Sequence, residues 1–361
     1  MKYLLLSFFL SLLPLQSTYA ESIEIADIPS LISSLKFEKH IEFCGEKVPI
    51  ENSEVLERFE KELLLSLWDR AQIILWLKRS SRYMPHIEHV LKENGMPEDL
   101  KYVPVVESAL LPHLGSSKGA MGFWQFIAAT GRRYGLVIDK NIDERRNIFA
   151  STAAAVLYLR ELHEMFKSWT LAVAAYNMGE KGLMSEILEQ DTGDYYQLYL
   201  PLETQRYVFR ILSVKLILAN PEKYGFKLSK DDYYTPLEFD QVQITCPHDL
   251  PIRIIAKAGN TFFKVIKDLN PEIRGYFLAE GTHNILIPKG ASAGFEARYQ
   301  DFLNKHLTAR KEGVYVVKKG DSLSSIAKNF DIPLASLLLW NQLDPQRPIH
   351  PGDRLIIYKG N

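Results

Sequence analysis

The chain of 361 residues is poor in cysteine: only Cys44 and Cys246 are present. Two thiols so far apart in sequence make neither a disulfide framework nor a tetrahedral zinc site. Whether they pair with each other is left open by the sequence. Net charge is nearly absent, with 43 Lys+Arg against 44 Asp+Glu. This argues against a nucleic-acid binder that works through a strongly basic surface. It also leaves no polybasic membrane anchor. After residue 20 no apolar run approaches the roughly 20 residues that span a bilayer. His86 and His89 stand three apart on a helical stretch with no third ligand evident, so no metal site is expected. No glycine-rich phosphate loop appears. No metal, nucleotide or flavin cofactor is therefore expected.

What is present is ample apolar material: 47% of residues are hydrophobic. That suffices for a sizeable core, and the length suggests two or three domains at about 150 residues each. The first 20 residues differ from the rest. Lys2 precedes an apolar run from Tyr3 to Leu13, and Thr18-Tyr19-Ala20 supplies small residues before a cleavage point. Residues 1–20 read as a secretory signal. No cysteine follows the run to accept a lipid. The mature protein is expected to be exported and free of any integral membrane span.

Residues 21–84 form a lead-in that becomes helical from Val55, and the helical pattern runs to Asn94. Leu56, Phe59, Leu63, Leu64, Leu67 and Ile74 recur at three- and four-residue steps, and Gly95 and Pro97 end the run. Helical patterns return at 98–107, 122–134, 147–167, 169–178 and 203–219. No alternating strand pattern precedes residue 230, so the first domain, 85–220, is expected to be mostly α. Past Asn220-Pro221 the character changes. In the 228–290 region, Ile255-Ala256-Lys257 is followed by Asn270 and the strand Ile285-Leu286-Ile287. In the 313–358 region, Ile326-Ala327-Lys328 is followed by Asn341 and the strand Leu355-Ile356-Ile357. The common spacing marks an internal repeat of strand–helix–helix–strand type. Residues 291–312 are expected to link the copies. The fold class is thus α+β and multidomain.

The chemistry centres on Val105-Val106-Glu107-Ser108-Ala109. An apolar helical stretch leads into Glu107, and a loop with Gly115, Ser116 and Ser117 follows. A carboxyl against apolar surface has its charged form disfavoured, so its pKa rises and it can deliver a proton near neutral pH. Taken alone, a glutamate at a helix end is more often a capping or salt-bridging residue.

The surrounding pattern raises that reading. Glu107-Ser108, Ala120-Met121-Gly122-Phe123-Trp124-Gln125-Phe126, Ala174-Ala175-Tyr176-Asn177-Met178-Gly179 and Leu200-Pro201-Leu202-Glu203-Thr204-Gln205-Arg206-Tyr207-Val208 follow one another in order. In order and spacing, residues 85–220 resemble the lytic murein transglycosylases of the membrane-bound D type. Residues 313–358 resemble a LysM module, and the 250–290 stretch resembles a degenerate one that lacks the Gly-Asp-Ser-Leu turn. The resemblance implies a lysozyme-like α domain with a sugar cleft. It implies non-hydrolytic cleavage between N-acetylmuramic acid and N-acetylglucosamine to give 1,6-anhydro products, with Glu107 as the sole acid/base. The partner implied is peptidoglycan glycan, and the place the periplasm or cell envelope.

By position, the resemblance makes Ser108, Ser116, Gln125, Tyr176, Asn177, Glu203 and Tyr207 substrate-binding or site-shaping residues. Tyr176 would face Glu107 across the cleft. In the LysM module, Gly320, Asp321, Ser322 and Asn341 are the glycan-binding candidates. Each has a plainer alternative: Tyr176 as a core residue, Asn177 as a helix C-cap, Gln125 as an exposed helix residue, Glu203 as an N-cap, Ser116 as loop polarity. Phe123, Trp124 and Phe126 are expected in the core. A hydrolase would need a second acid to activate water. Asp139, Asp143 and Glu144 are the downstream acids weighed, and none fits that role from sequence. A third reading is a non-catalytic wall-binding protein. The joint presence of Glu107, Gln125, Tyr176 and Asn177 disfavours it.

Overall fold

The computed structural model describes residues 29–36, 40–312, 314–330, 332–344 and 348–357. The expected signal segment, residues 1–20, lies outside the described residues. A short helix α1 (Leu31–Ser34) and a hairpin of β1 (Glu42–Phe43) and β2 (Glu46–Lys47) open the described chain. Helices α2 (Ser53–Trp68), α3 (Arg70–Glu93), α4 (Val103–Ser108), α5 (Ala128–Arg133), α6 (Ile148–Phe166), α7 (Trp169–Met178), α8 (Glu180–Gln190) and α9 (Leu202–Ala219) follow. Next come β3 (Phe239–Cys246), β4 (Leu250–Pro251), α10 (Ile252–Ala258), α11 (Phe263–Leu269), β5 (Phe277–Leu278), β6 (Gly281–Pro288) and α12 (Phe295–Glu312). The chain ends in β7 (Val314–Val316), α13 (Leu323–Asn329), α14 (Leu334–Trp340) and β8 (Arg354–Ile356).

The long helical pattern of 55–94 breaks once, at Asp69. Its side chain caps α3 by accepting from the Gln72 amide at 3.1 Å. The boundary drawn between residues 84 and 85 falls inside α3, where the backbone shows no interruption. One apolar core runs from Ile41 to Val214 and includes Phe43, Val55, Phe59, Phe123, Trp124 and Phe209. The lead-in from residue 41 onward therefore packs as part of the helical domain. Buried Glu62 on α2 takes two bonds from Arg206 on α9, at 2.6 and 3.0 Å. Asp99 accepts from Lys215 on α9 at 2.8 Å and from the Cys44 amide at 2.7 Å. These pairs fix α9 against the hairpin and α2. The hairpin also corrects the expectation of no strand before residue 230. The stretch 122–134 is not one helix: only 128–133 is helical, because Gly122 (φ +80°) and Gln125 (φ +49°) take left-handed conformations.

Beyond α9 the repeat is visible in three dimensions. Strand β3 pairs antiparallel with β6, and β7 pairs antiparallel with β8, each pair enclosing two helices in sequence. Asn270 and Asn341 occupy matching positions and do the same thing. The Asn270 amide donates to the Ile266 and Leu286 carbonyls at 2.7 and 2.8 Å, and its oxygen accepts from the Leu286 amide at 2.8 Å. Asn341 donates to the Leu337 and Ile356 carbonyls at 2.8 and 2.9 Å and accepts from the Ile356 amide at 2.6 Å. Each asparagine pins the end of the second helix to the last strand. This revises the place of Asn341 among the glycan-binding candidates, since its amide is engaged inside its own module. Replacing Asn341 with Ala should lower the stability of the 314–357 module by about 1–3 kcal/mol, because it leaves strand backbone groups unpaired. Thermal unfolding of the full chain checks this, and glycan affinity per folded molecule should stay the same.

The first turn of the terminal module is also internally bonded. Asp321 accepts from the Tyr315 hydroxyl and the Lys318 amide, both at 2.7 Å, and Ser322 caps α13 through a reciprocal pair with Ser325. Gly320 sits at φ +93°, where glycine is favoured. Residues 291–312 are not a free linker. Most of the segment is α12, whose Phe295, Tyr299 and Leu303 enter the core of the first repeat unit. Both cysteines are free thiols: Cys44 lies in the β1–β2 turn and Cys246 in β3. Among the described residues no helix is long and apolar enough to cross a membrane, and no group of His, Cys, Asp and Glu could hold a metal.

Candidate active site

Glu107 occupies the last turn of α4, a helix of six residues with Pro104 near its start. Val103, Pro104 and Val105 are buried, so the helix is anchored by its apolar side. It stops abruptly. Ala109 (φ +52°) and Leu110 (φ +58°) both adopt left-handed backbone, a conformation that side-chain-bearing residues avoid. Arg79 on α3 donates to the Ala109 carbonyl at 3.1 Å and holds this turn. The reversal takes the chain away at once and leaves the Glu107 carboxyl facing a cleft of about 840 Å³. The cleft is walled by the 114–120 loop, residues 125–127, the end of α7 and the start of α9.

The carboxyl is half-buried, and burial pushes its pKa up to about 7. Three weaker influences act on it. The Tyr207 hydroxyl bonds it and Arg210 lies near, and both favour the charged form. The charge of Glu203 disfavours it. Tyr207, itself 1% exposed, donates directly to Glu107 Oε1. A carboxyl so held is close to half protonated at neutral pH, so it can give a proton and take one back. Phenylalanine at position 207 should remove a bond that favours the carboxylate. The Glu107 pKa then rises further, and the basic limb of the pH profile of kcat/KM moves upward. An unmoved limb would show that the tyrosine does not set this titration.

The expected site residues divide into two groups. Gln125, Ser116, Tyr176, Asn177, Glu203 and Tyr207 all line the cleft with Glu107. Gln125 donates to the Leu114 and Gly122 carbonyls, both at 2.8 Å, and so joins the two sides of the cleft wall. Ser116 is exposed and accepts from the Ala120 amide at 3.1 Å. Tyr176 donates to the Trp124 carbonyl at 2.6 Å, so Tyr207, and not Tyr176, holds the acid. Asn177 accepts from the Thr204 hydroxyl at 2.8 Å and does not cap α7, whose C-cap is Gly179. Glu203 lies exposed in the first turn of α9 without capping it.

Ser108 departs from the expectation of a substrate contact. It is 1% exposed and does not line the cleft. Its hydroxyl donates to the Phe123 carbonyl at 2.8 Å, which ties the acid's helix to the 122–126 turn. Phe123, Trp124 and Phe126 are buried as expected, with the Trp124 indole bonded to Thr152 at 3.0 Å.

Arg210, Tyr158, Glu180 and Lys118 also line the cleft and were missed. A signal existed for Arg210. Positions 203, 207 and 210 fall on one helical stripe, so a helix that presents Glu203 and Tyr207 presents Arg210 too. Glu180 accepts from Tyr158 at 3.1 Å and from Arg133 at 3.3 Å, and its pKa is held low by its own backbone hydrogen bond and by these partners. Its place in the cleft depends on a helix packing that no local pattern announces. The downstream acids weighed for a hydrolase are elsewhere. Asp143 is buried in a pair with Arg145, Glu144 accepts from the Val137 amide, and Asp139 accepts from the Asn141 and Ile142 amides.

A half-buried glutamate at the floor of a cleft among helices, steadied by a tyrosine, is the arrangement of a lysozyme-like domain. In keeping with this, residues 84–198 match the family described as Transglycosylase SLT domain, and residues 315–357 match the LysM domain. Residues 84–198 thus form a transglycosylase SLT domain, with a LysM domain at the C-terminal end. The chain is 35% identical over 297 residues to membrane-bound lytic murein transglycosylase D of Escherichia coli (strain K12), and equally to that of Escherichia coli O6:H1 (strain CFT073). The match takes in 78% of this chain and 65% of each relative, so the chain spans somewhat less than two thirds of their length. A protein named for tributyltin chloride resistance in Alteromonas sp. (strain M-1) is 31% identical over 117 residues, covering 32% of this chain and 56% of its own length.

Proposed function

We propose that this chain is an exported peptidoglycan lytic transglycosylase of the bacterial cell envelope, held at the wall by its LysM module. One observation carries the reading: a single carboxyl, Glu107, raised by burial to about 7 and bonded by Tyr207 at the floor of the cleft. In this reaction Glu107 donates its proton to the glycosidic oxygen that joins N-acetylmuramic acid to the next N-acetylglucosamine. The bond from that oxygen to muramic C1 breaks. The muramic C6 hydroxyl closes on C1 and returns its proton to Glu107. The substrate supplies its own nucleophile, so one titrating carboxyl serves as both acid and base. Two-carboxyl glycosidases need the second group for water or for a covalent intermediate.

Gln125, Asn177, Ser116 and Glu203 offer amide, hydroxyl and carboxylate groups to the acetamido and hydroxyl groups of the sugars. Arg210, by its charge beside Glu107, favours the carboxylate after proton delivery.

The second reading is a hydrolase, since Glu180 and Glu203 also face the cleft. Glu180 is engaged by Tyr158 and Arg133, which weakens it as a water-activating base. Mass spectrometry of digested sacculi decides. Anhydromuramoyl products are one water lighter than hydrolysis products, and finding only the heavier set would overturn the proposal.

A further inference from the structure

The first repeat unit does not stand apart from the SLT domain. Its 272–274 segment meets the 139–143 loop of that domain through an antiparallel bridge between Ile142 and Ile273. The Asp143 amide donates to the Glu272 carbonyl at 2.8 Å, and the Arg274 amide donates to the Asn141 carbonyl at 2.7 Å. The Arg274 guanidinium reaches the Asp139 carbonyl at 3.0 Å. Ile142 packs against the core of the repeat unit, and Phe149 meets Phe239 edge-on at 5.4 Å.

The same loop is bonded to the cleft. The Asp143 carboxylate accepts two bonds from Arg145, both at 2.8 Å. Arg145 in turn donates to the Gly119 and Phe126 carbonyls at 2.9 and 3.0 Å. Between those carbonyls lie Ala120 and Gln125, which line the cleft. Three bonded steps therefore lead from the repeat unit to the cleft wall: Glu272 to Asp143, Asp143 to Arg145, and Arg145 to the 119–126 segment.

We propose that the 239–303 unit acts as a strut for the active site, with Glu272, Ile273 and Arg274 as positioning residues that fix the cleft wall through Asp143 and Arg145. The proposal rests on the transglycosylase reading for the reaction it supports. It assigns the degenerate repeat a task other than binding glycan.

The junction also holds a titratable group. Glu272 is 8% exposed, and its Oε2 is buried without a partner. Burial raises its pKa to about 7. Asn147 and Lys267 favour its charged form and Glu144 opposes it. Lys267 also acts on His113, as do Arg146 and Asp268, and Arg146 in turn interacts with Asp143, Arg145 and Arg274. A carboxyl whose pKa is higher docked than free favours docking in its protonated form. Docking is then tightest below about pH 4.5, its ordinary value, and loosens as pH rises through 7.

The test uses the full chain. Ile142→Glu places a charge against the core of the repeat unit. Turnover on a soluble N-acetylglucosamine–N-acetylmuramic acid oligomer should fall about 10- to 100-fold, as expected when a cleft wall is misplaced. Amide exchange of residues 119–126 and 137–147 should quicken, while sedimentation with sacculi stays unchanged. Glu272→Gln keeps the backbone carbonyl that accepts from the Asp143 amide. It should abolish the difference in amide protection, corrected for the intrinsic base-catalysed rate, that the natural chain is expected to show between pH 5 and pH 8. If Ile142→Glu does not fold, Arg274→Ala removes an exposed side chain and should quicken exchange of 137–147 with a smaller loss of turnover. A detached unit, seen by exchange, with unchanged turnover overturns the proposal. So does exchange of 119–126 that is insensitive to these variants. Hydrated products from the natural chain would instead overturn the transglycosylase reading, and the exchange measurements would still judge the strut.

Discussion

Glutamine at position 107 is expected to stop glycan cleavage while leaving sacculus binding intact. The side chain keeps its size and can still accept from Tyr207, but the transferable proton is gone. Loss of a positioned acid/base costs about 10²–10⁴-fold, and in the proposed mechanism the same group serves both proton transfers. The loss should therefore sit at the upper end of that range, read as anhydromuropeptide release from purified sacculi. The variant should also be more stable than the natural chain above pH 7. Burial raises the Glu107 pKa from 4.5 to about 7, so the folded state prefers the protonated acid. Folding stability is then lost as pH rises from about 4.5 to 7, by on the order of 3 kcal/mol from this group. A neutral amide does not carry that penalty. An inactive protein with a higher Tm at pH 8 and an equal Tm at pH 4 is the joint signature. Retained cleavage would remove Glu107 from the mechanism.

Alanine at position 122 is expected to be nearly as damaging, for a steric reason. Gly122 has φ +80°, and an added Cβ would overlap the Arg145 carbonyl carbon and oxygen. Both obstacles are backbone, so no rotamer change relieves them. The 120–126 turn or the 144–146 turn must move. Either movement disturbs the bonds that Arg145 makes to Gly119 and Phe126 and the bond that Gln125 makes to Leu114. A destabilisation of about 3 kcal/mol is expected for such a clash at a left-handed position. In a domain of this size that lowers Tm by about 6–12 °C. Cleavage should fall with it even at temperatures where the variant is folded, because the wall that carries Gln125 is displaced. Calorimetry and the sacculus assay on one preparation check both parts.

The helices of the SLT domain were legible because apolar residues recur at helical steps and because Gly95, Pro97 and Gly179 mark ends. The repeat was legible because two asparagines stand at the same distance after two Ile-Ala-Lys triplets, and both proved to be pins between helix and strand. The 122–126 turn was not legible as a turn. Its apolar residues mimic a helix, and only the packing of Gly122 on Arg145 excludes one. The 291–312 segment looked like a linker because it lies between the two copies of the repeat. Three residues spaced along one face, Phe295, Tyr299 and Leu303, were enough to seat it in a core.

By itself the sequence determined which residues could do chemistry: one glutamate after an apolar stretch, with glutamine, tyrosine and asparagine motifs in fixed order after it. Side-chain type and spacing are local properties, and they survive being read in one dimension. Only the tertiary structure decided which tyrosine holds the acid, that Ser108 turns inward, that Arg210 and Glu180 join the cleft, and that the first repeat unit leans on its wall. Those outcomes depend on contacts between segments far apart in the chain. Burial, which sets the titration of Glu107, is a property of the packed whole.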